Sequence, residues 1–150
     1  MDGQLINDSV QYIKKWIHQY ISDDNIDDLH IDEISPYLQN KKFWLSDAIA
    51  LYKKIYFEFN NYNILLAFEL KCSYIPNSIP DIITENSFSN TPPSLYVCKK
   101  GNHRLSETIE DSIELENIST DFGLNVYYYE TKEPEGGKYV YYRYLFMTCK

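Results

Sequence analysis

Cysteine patterns that would indicate a disulfide framework or a thiolate zinc site are missing from this 150-residue chain. The three cysteines, Cys72, Cys98 and Cys149, are widely spaced and form no Cys-x-x-Cys pair. Cys72 and Cys98 lie inside strand-like stretches, so we expect both to be buried, reduced and not catalytic. We also predict no metal site, because the acidic run from Asp23 to Glu33 lacks the glycine and the bidentate glutamate of an EF-hand loop.

Positive charge is scarce as well. The chain has 14 Lys and Arg residues against 22 Asp and Glu, a formal net charge of -8, and only two arginines, Arg104 and Arg143. A negative field of this kind repels nucleic acid and anionic membranes, so general nucleic-acid binding is disfavoured. No apolar run approaches the roughly 18 residues that a membrane-spanning helix needs, and the first residues do not resemble a signal peptide. We therefore expect a cytoplasmic protein without a membrane partner.

Helical periodicity is clear in two stretches. The first predicted helix is capped by Asp8 or Ser9, and the second runs from Phe43 to Tyr56. A third helix is predicted at 105–117, where Ile109 and Ile113 recur at helical spacing among acidic residues. The composition suits one globular domain, divided into an N-terminal helix and acidic linker at 1–28, a central region at 29–130 and a C-terminal strand at 131–150.

Strands are predicted where apolar residues alternate or where Tyr, Val and Phe are enriched. These stretches are 29–34, where a helix is the alternative, 62–73, Leu95 to Lys100, 124–131 and 138–149. The last two would form a C-terminal β-hairpin with a longer loop at 132–137. The predicted fold is therefore α+β, with a mixed or antiparallel sheet of about five strands and helices packed on one side.

A strand, a glycine turn and a helix start follow one another at Gly101-Asn102-His103-Arg104. A glycine lets backbone N–H groups approach an anion, and the N-terminus of the following helix directs unpaired donors to the same place. Arg104 and His103 would add side-chain donors suited to phosphate oxygens. This pattern indicates a phosphate-binding turn, while a plain surface turn with solvated side chains is the alternative.

Three segments are similar to successive parts of one known family. The segment Leu29–Lys42 is similar to its opening strand with a proline, Gly101–Leu105 to its Gly-x-His-Arg motif, and Gly123–Tyr129 to the strand after the motif helix. That family is the ParB/sulfiredoxin superfamily, whose members bind nucleotides for hydrolysis, phosphoryl transfer or DNA partition. The resemblance implies that a nucleotide with Mg²⁺ binds here, with phosphate contacts from Gly101, His103 and Arg104 and a backbone donor from Asn102.

Two departures from that family affect any catalytic assignment. Asn102 occupies the position of the sulfiredoxin cysteine, so sulfiredoxin chemistry is excluded. No glutamate lies between Pro36 and Tyr56, where kinase-like members place their base. No catalytic residue is therefore assigned, and whether the chain is an enzyme stays open.

Acidic residues give a function hypothesis of a different class. On the predicted third helix, Glu107, Glu110, Asp111 and Glu114 would share one face, which a basic partner protein could cover. The chain would then be a non-enzymatic acidic binding protein, such as a toxin immunity protein or an inhibitor encoded by a virus or plasmid. The tyrosines between 127 and 144 could add an aromatic interface, because about half of them must face outward, or could simply pack against the helices.

Overall fold

The computed structural model has an α+β fold, as the sequence predicts. The structure describes residues 3–23, 25–38, 41–71, 88–89, 91–101, 107, 109–115 and 123–149. Its helices are α1 (Gly3–Ser22) and α2 (Leu45–Phe59), with a 3₁₀ turn at Pro36–Leu38. Its strands are β1 (Asp28–Ile31), β2 (Phe43–Trp44), β3 (Ile64–Lys71), β4 (Phe88–Ser89), β5 (Ser94–Lys99), β6 (Ile113–Glu114), β7 (Leu124–Glu135) and β8 (Lys138–Cys149).

Helix α1 begins earlier than the predicted cap at Asp8 or Ser9. Its buried residues recur at intervals of three and four, so one apolar stripe already includes the turn before Ser9; they are Ile6, Val10, Ile13, Ile17 and Tyr20. Ser9 itself is buried, and its hydroxyl donates to the Leu5 carbonyl at 2.7 Å. The cap prediction was wrong because this hydroxyl is satisfied inside the helix instead of ending it.

Helix α2 lies close to the predicted range. Asp47 is in its first turn, and its carboxylate accepts the Trp44 N–H at 3.1 Å, which fixes the entry of the chain into the helix. Residues 43 and 44 themselves pair with β4 as a short two-stranded sheet. The helix ends at Phe59, directly before Asn60 and Asn61.

The main sheet has the strand order β1-β5-β3-β8-β7-β6, and every pair in it is antiparallel. Strand β3 is central, with Phe68 opposite Leu95 on one side and Met147 on the other. The first predicted strand is shorter than expected. Strand β1 ends at Ile31, and the chain turns so that Ile34 is buried and its N–H donates to the Pro93 carbonyl at 3.3 Å.

The two faces of the sheet differ in what covers them. One face packs against α1 and α2 and forms the large core, to which β3 contributes Leu66, Phe68 and Leu70. The opposite face carries a smaller buried cluster of Ala67, Cys98 and Phe146, with half-buried aromatic residues around it. The prediction that the helices pack on one side is therefore confirmed.

The C-terminal hairpin is present, but the prediction of a longer loop at 132–137 was wrong. Strands β7 and β8 pair without interruption to Glu135 and Lys138, leaving only Gly136 and Gly137 in the turn. Both glycines have positive φ, at 58° and 78°, as a two-residue type I′ turn requires. Pro134 is tolerated because, within the described part of the chain, β6 pairs with β7 only at residues 127 and 128.

Candidate functional site

Gly101 is the only member of the predicted phosphate-binding motif that lies within the described residues. It directly follows β5 and Lys100, is exposed, and has a φ of 91°, a conformation that favours glycine. The preceding Lys100 N–H donates to the Asn63 carbonyl at 3.3 Å, which anchors the end of β5. Asn102, His103 and Arg104 lie outside the described residues. The structure thus agrees with a strand followed by a glycine turn, and phosphate binding stays a prediction.

The acidic partner-binding face requires a correction. Glu107, Glu110 and Asp111 belong to a single helical turn, closed by the Asp111 N–H donating to the Glu107 carbonyl at 3.2 Å. Glu114 lies on strand β6, where it is opposite Tyr127. The helix predicted at 105–117 therefore does not continue, and the four carboxylates do not share one helix face.

Pairing with β7 explains why that helix ends. The Leu115 N–H donates to the Val126 carbonyl at 2.7 Å, and Leu115 is buried in the main core. Ile109 packs on the smaller cluster at the opposite face, while Ile113 is 55% exposed. Helical spacing of Ile109 and Ile113 was misleading because tertiary strand pairing decided the backbone conformation.

A groove of about 470 Å³ lies between α1 and the sheet edge at β1. We call it the edge groove, and its lining consists of Tyr12, Trp16, Leu29, His30, Ile31, Asp32 and Glu33. The rings of Tyr12 and Trp16 meet edge to face with centroids 6.4 Å apart, and Trp16 is 40% exposed. The groove thus combines aromatic surface on α1 with carboxylates just after β1.

The carboxylates of the edge groove face solvent. The side chain of Asp32 is 87% exposed, and its Oδ1 is 3.4 Å from Nδ1 of His30. The Asp32 carbonyl accepts the Ser94 hydroxyl at 3.0 Å, which fixes the backbone just beyond β1. Asp32 and Glu33 also line a second hollow of about 390 Å³, together with Glu69 and Tyr144. Lys71 also lines this second hollow, so carboxylates continue from the edge groove to the opposite face of the sheet with one lysine among them.

Glu69 is the centre of an aromatic cluster on that opposite face. Its Oε2 accepts hydrogen bonds from the hydroxyl of Tyr129 and, at 3.5 Å, from that of Tyr96. Tyr129 stacks on Tyr144 with centroids 4.8 Å apart, and Tyr96 stacks on His30 at 4.2 Å. Because Tyr96 contacts both His30 and Glu69, the cluster is joined to the lining of the edge groove.

Burial and the neighbouring carboxylate both act on these phenols. Burial is the larger cause that raises the pKa of Tyr96 to about 12, and the negative charge of Glu69 adds to it. The pKa of Tyr129 is raised for the same causes, with the hydrogen bond to Glu69 also contributing. Both phenols stay protonated near neutral pH and can donate to Glu69. Tyr96 and Tyr129 are therefore suited to donate hydrogen bonds to Glu69, and not to exchange protons near neutral pH.

Sequence reasoning did not identify the edge groove. The sequence pattern places Asp32 and Glu33 in the predicted strand at 29–34 and within an acidic run without a metal site, and it assigns Trp16 no binding role. A second aromatic residue, Tyr12, lies four residues before Trp16, and this spacing was the signal available in the sequence. Only the packing of α1 against the β1 edge places these rings beside Asp32 and Glu33.

The described part of the chain has neither a metal-ligand cluster nor a helix that could cross a membrane. No group of three or more His, Cys, Asp or Glu side chains there could hold a metal ion. No helix among those residues is long and apolar enough to cross a membrane.

Comparisons with known proteins do not assign the chain to a family. No protein-family model matches it, and no curated protein or solved structure matches it significantly. The resemblance to the ParB/sulfiredoxin superfamily remains a prediction from the sequence around Gly101.

Proposed function

We propose that this chain is a non-enzymatic binding protein that receives a basic segment of a partner protein in the edge groove, as a toxin immunity protein or inhibitor would. The observation that carries the proposal is the lining of the groove, which joins the rings of Tyr12 and Trp16 to the carboxylates of Asp32 and Glu33 and contains no Lys or Arg among the residues that the structure describes. Aromatic faces attract cations by about 0.5–2 kcal/mol, and exposed Trp and Tyr are typical anchors of interfaces.

Charge on the whole chain supports this proposal. The net charge of -8 would accelerate encounter with a basic partner and slow encounter with acidic ones. Among the described residues, the buried thiol and phenols whose pKa values are raised are also unsuited to acid–base or nucleophilic catalysis near neutrality. Burial raises the pKa of the Cys98 thiol to about 11, so this thiol stays protonated, and the phenols of Tyr96 and Tyr129 stay protonated as well.

Affinity capture with the full chain as bait, followed by calorimetry with the purified partner, tests the proposal. Trp16→Ala should weaken binding by about 2 kcal/mol or more if Trp16 is a central anchor. Phe57→Ala is the matched control, because Phe57 is an aromatic residue that is 70% exposed on α2 and does not line the groove. An acidic partner, or equal losses in both variants, would contradict the proposal.

Nucleotide or phosphate binding at Gly101 is a second candidate, and the observation that favours it is the positive φ of this glycine at the end of β5. Arg104→Ala should then weaken binding of ATP, CTP or GTP with magnesium by about 1.5–3 kcal/mol through loss of a charge-assisted contact. Calorimetry with each nucleotide checks this. Absence of binding by the unmodified chain at millimolar nucleotide would exclude this candidate and would leave the edge-groove proposal unaffected.

A further inference from the structure

We infer that the basic segment binds in an extended conformation and adds a β-strand alongside β1. Every second side chain of this added strand points to the α1 side of the sheet. This inference rests on the proposed function and specifies how the edge groove is occupied. It requires three properties of the groove: an available strand edge, a lining that accepts alternate side chains, and a charge that selects the occupant.

Strand β1 is the first strand in the order of the main sheet, and it pairs with β5 through Asp28 opposite Cys98 to Ile31 opposite Leu95. In an antiparallel pair, successive residues direct their N–H and C=O groups alternately toward the partner and away from it. Two of the four residues of β1 therefore direct both groups away from β5. No other described strand pairs with that outer side.

The edges at β6 and β7 in the described part of the sheet are less suited to strand addition. Strand β6 has only two residues, Ile113 and Glu114. The outer side of β7 beyond residue 128 includes Pro134, which has no N–H, between Glu133 and Glu135. Strand β1 is short, but it lies beside a groove that would hold an extended chain.

Side-chain positions in an added strand follow from its period of two. A strand next to β1 would lie about 4.8 Å from it, and every second side chain would point to the α1 side of the sheet. Tyr12 and Trp16 line that side of the groove, while His30 and its neighbour Tyr96 lie toward the other. Lys or Arg side chains at alternate positions could therefore contact the rings and reach Asp32 or Glu33.

Charge around β1 also decides against a second copy of this chain as the occupant. Asp27 and Asp28 lie at one end of the edge, and Asp32 and Glu33 follow its other end. Pairing of two such edges would bring like charges together, which destabilises cross-strand neighbours. The same carboxylates favour a basic segment, and the partner is therefore a different protein with an extended Lys- or Arg-rich stretch.

Capped peptides that alternate Lys with Val test this binding mode on the full chain. The parent peptide should bind saturably, and a version with Glu in place of Lys should not. Two further versions carry backbone N-methyl groups on alternate residues, one set on the Lys positions and the other on the Val positions. Methylation of the set that faces β1 should weaken binding about tenfold or more, because it removes backbone hydrogen bonds to β1 and the methyl groups also block approach. Methylation of the other set should change affinity much less.

Hydrogen exchange gives an independent readout. Bound peptide should slow exchange at the outward-facing amides of β1, and Trp16→Ala should abolish this protection while Phe57→Ala keeps it; near-ultraviolet circular dichroism confirms that both variants are folded. Equal affinity of all the methylated versions, without protection at β1, would overturn strand addition while leaving a basic partner in the groove possible. Failure of the parent peptide to bind at millimolar concentration would also overturn the inference, whereas the proposed function fails if the captured partner is acidic or does not use the groove.

Discussion

Burial affects the ionisable side chains around the smaller cluster, on the sheet face opposite the helices. Glu69 accepts two phenol donors, Tyr96 contacts His30 at the edge groove, and Cys98 is buried below them. Burial raises the pKa of the Tyr96 phenol and of the Cys98 thiol, so both stay protonated near neutral pH. The consequences are measurable as pH dependence and as thiol reactivity.

Stability should fall in alkaline solution as Tyr96 ionises. Its pKa is about 12 in the folded chain against 10.0 for a free phenol, so the folded state holds the proton more tightly. The stabilising contribution is complete below pH 10 and is lost as the pH rises from about 10 to about 12. Urea unfolding across this range should show a smaller decline for Tyr96→Phe than for the unmodified chain. Equal slopes above pH 10 would contradict a raised pKa.

Cys98 should react slowly with thiol reagents in the native protein. It is 2% exposed and its pKa is raised to about 11, mainly by burial, so little thiolate is accessible at pH 8. This confirms the predicted burial of Cys98, while Cys72 lies outside the described residues. A Cys72→Ser/Cys149→Ser background isolates the Cys98 signal. Rapid labelling before urea is added, with no further increase afterwards, would show that the thiol is exposed.

Secondary-structure elements set where the edge groove and the hairpin lie. Helix α1 packs its Ile13 and Ile17 stripe into the core and leaves Trp16 at the edge of the sheet. The long β7–β8 hairpin extends past Lys71, where the described pairing of β8 with β3 ends at Tyr144. Its geometry depends on the two-residue turn at Gly136-Gly137.

Substitution of Gly137 tests that turn. At a φ of 78°, Gly137→Ala would place a Cβ in a left-handed conformation, which costs about 1–2 kcal/mol for an L-residue. Gly136→Asn is the matched control, because asparagine tolerates positive φ and Asn-Gly is favoured in type I′ turns. Free energies of unfolding from urea titration should therefore fall more for Gly137→Ala than for Gly136→Asn. The reverse order would argue against a type I′ turn.

The whole molecule presents an acidic surface in which the position of charge should matter as well as its amount. Asp32 and Glu33 line the edge groove, whereas Glu110 and Glu114 lie on the segment before β7 and not on a common helix face. A partner that uses the groove should respond to these two pairs differently. Long-range attraction is common to both, but only the first pair contacts the bound segment.

Charge reversal at the two pairs separates these effects. The groove variant combines Asp32→Lys with Glu33→Lys, and the second variant combines Glu110→Lys with Glu114→Lys. Each substitution adds two units of positive charge, so either variant changes the net charge from -8 to -4. Both should lower the association rate of the partner at low salt, and the difference should shrink at physiological ionic strength, where screening acts over about 8 Å. Only the groove variant should also raise the dissociation rate in stopped-flow or surface-binding kinetics. Equal dissociation rates would place the interface elsewhere.

Local sequence was sufficient for much of the fold. The stripe of Ile13 and Ile17 predicted α1, alternation around Phe68 predicted β3, and Tyr- and Val-rich stretches predicted the C-terminal hairpin. These patterns are reliable because burial of one helix stripe or one strand face repeats with a fixed period along the chain. The glycine after β5 was also recognised as a turn, since a positive φ is a local property of Gly101.

Only the tertiary structure decided the backbone conformation of the acidic segment at 107–115 and the position of the edge groove. Residues 107–115 have helical spacing, but pairing with β7 converts Ile113 and Glu114 into a strand, because backbone hydrogen bonds outweigh a weak local propensity. The edge groove depends on α1 lying beside β1, which brings Trp16 next to Asp32. Trp16 and Asp32 are far apart in the chain, and no local period encodes their placement in one groove.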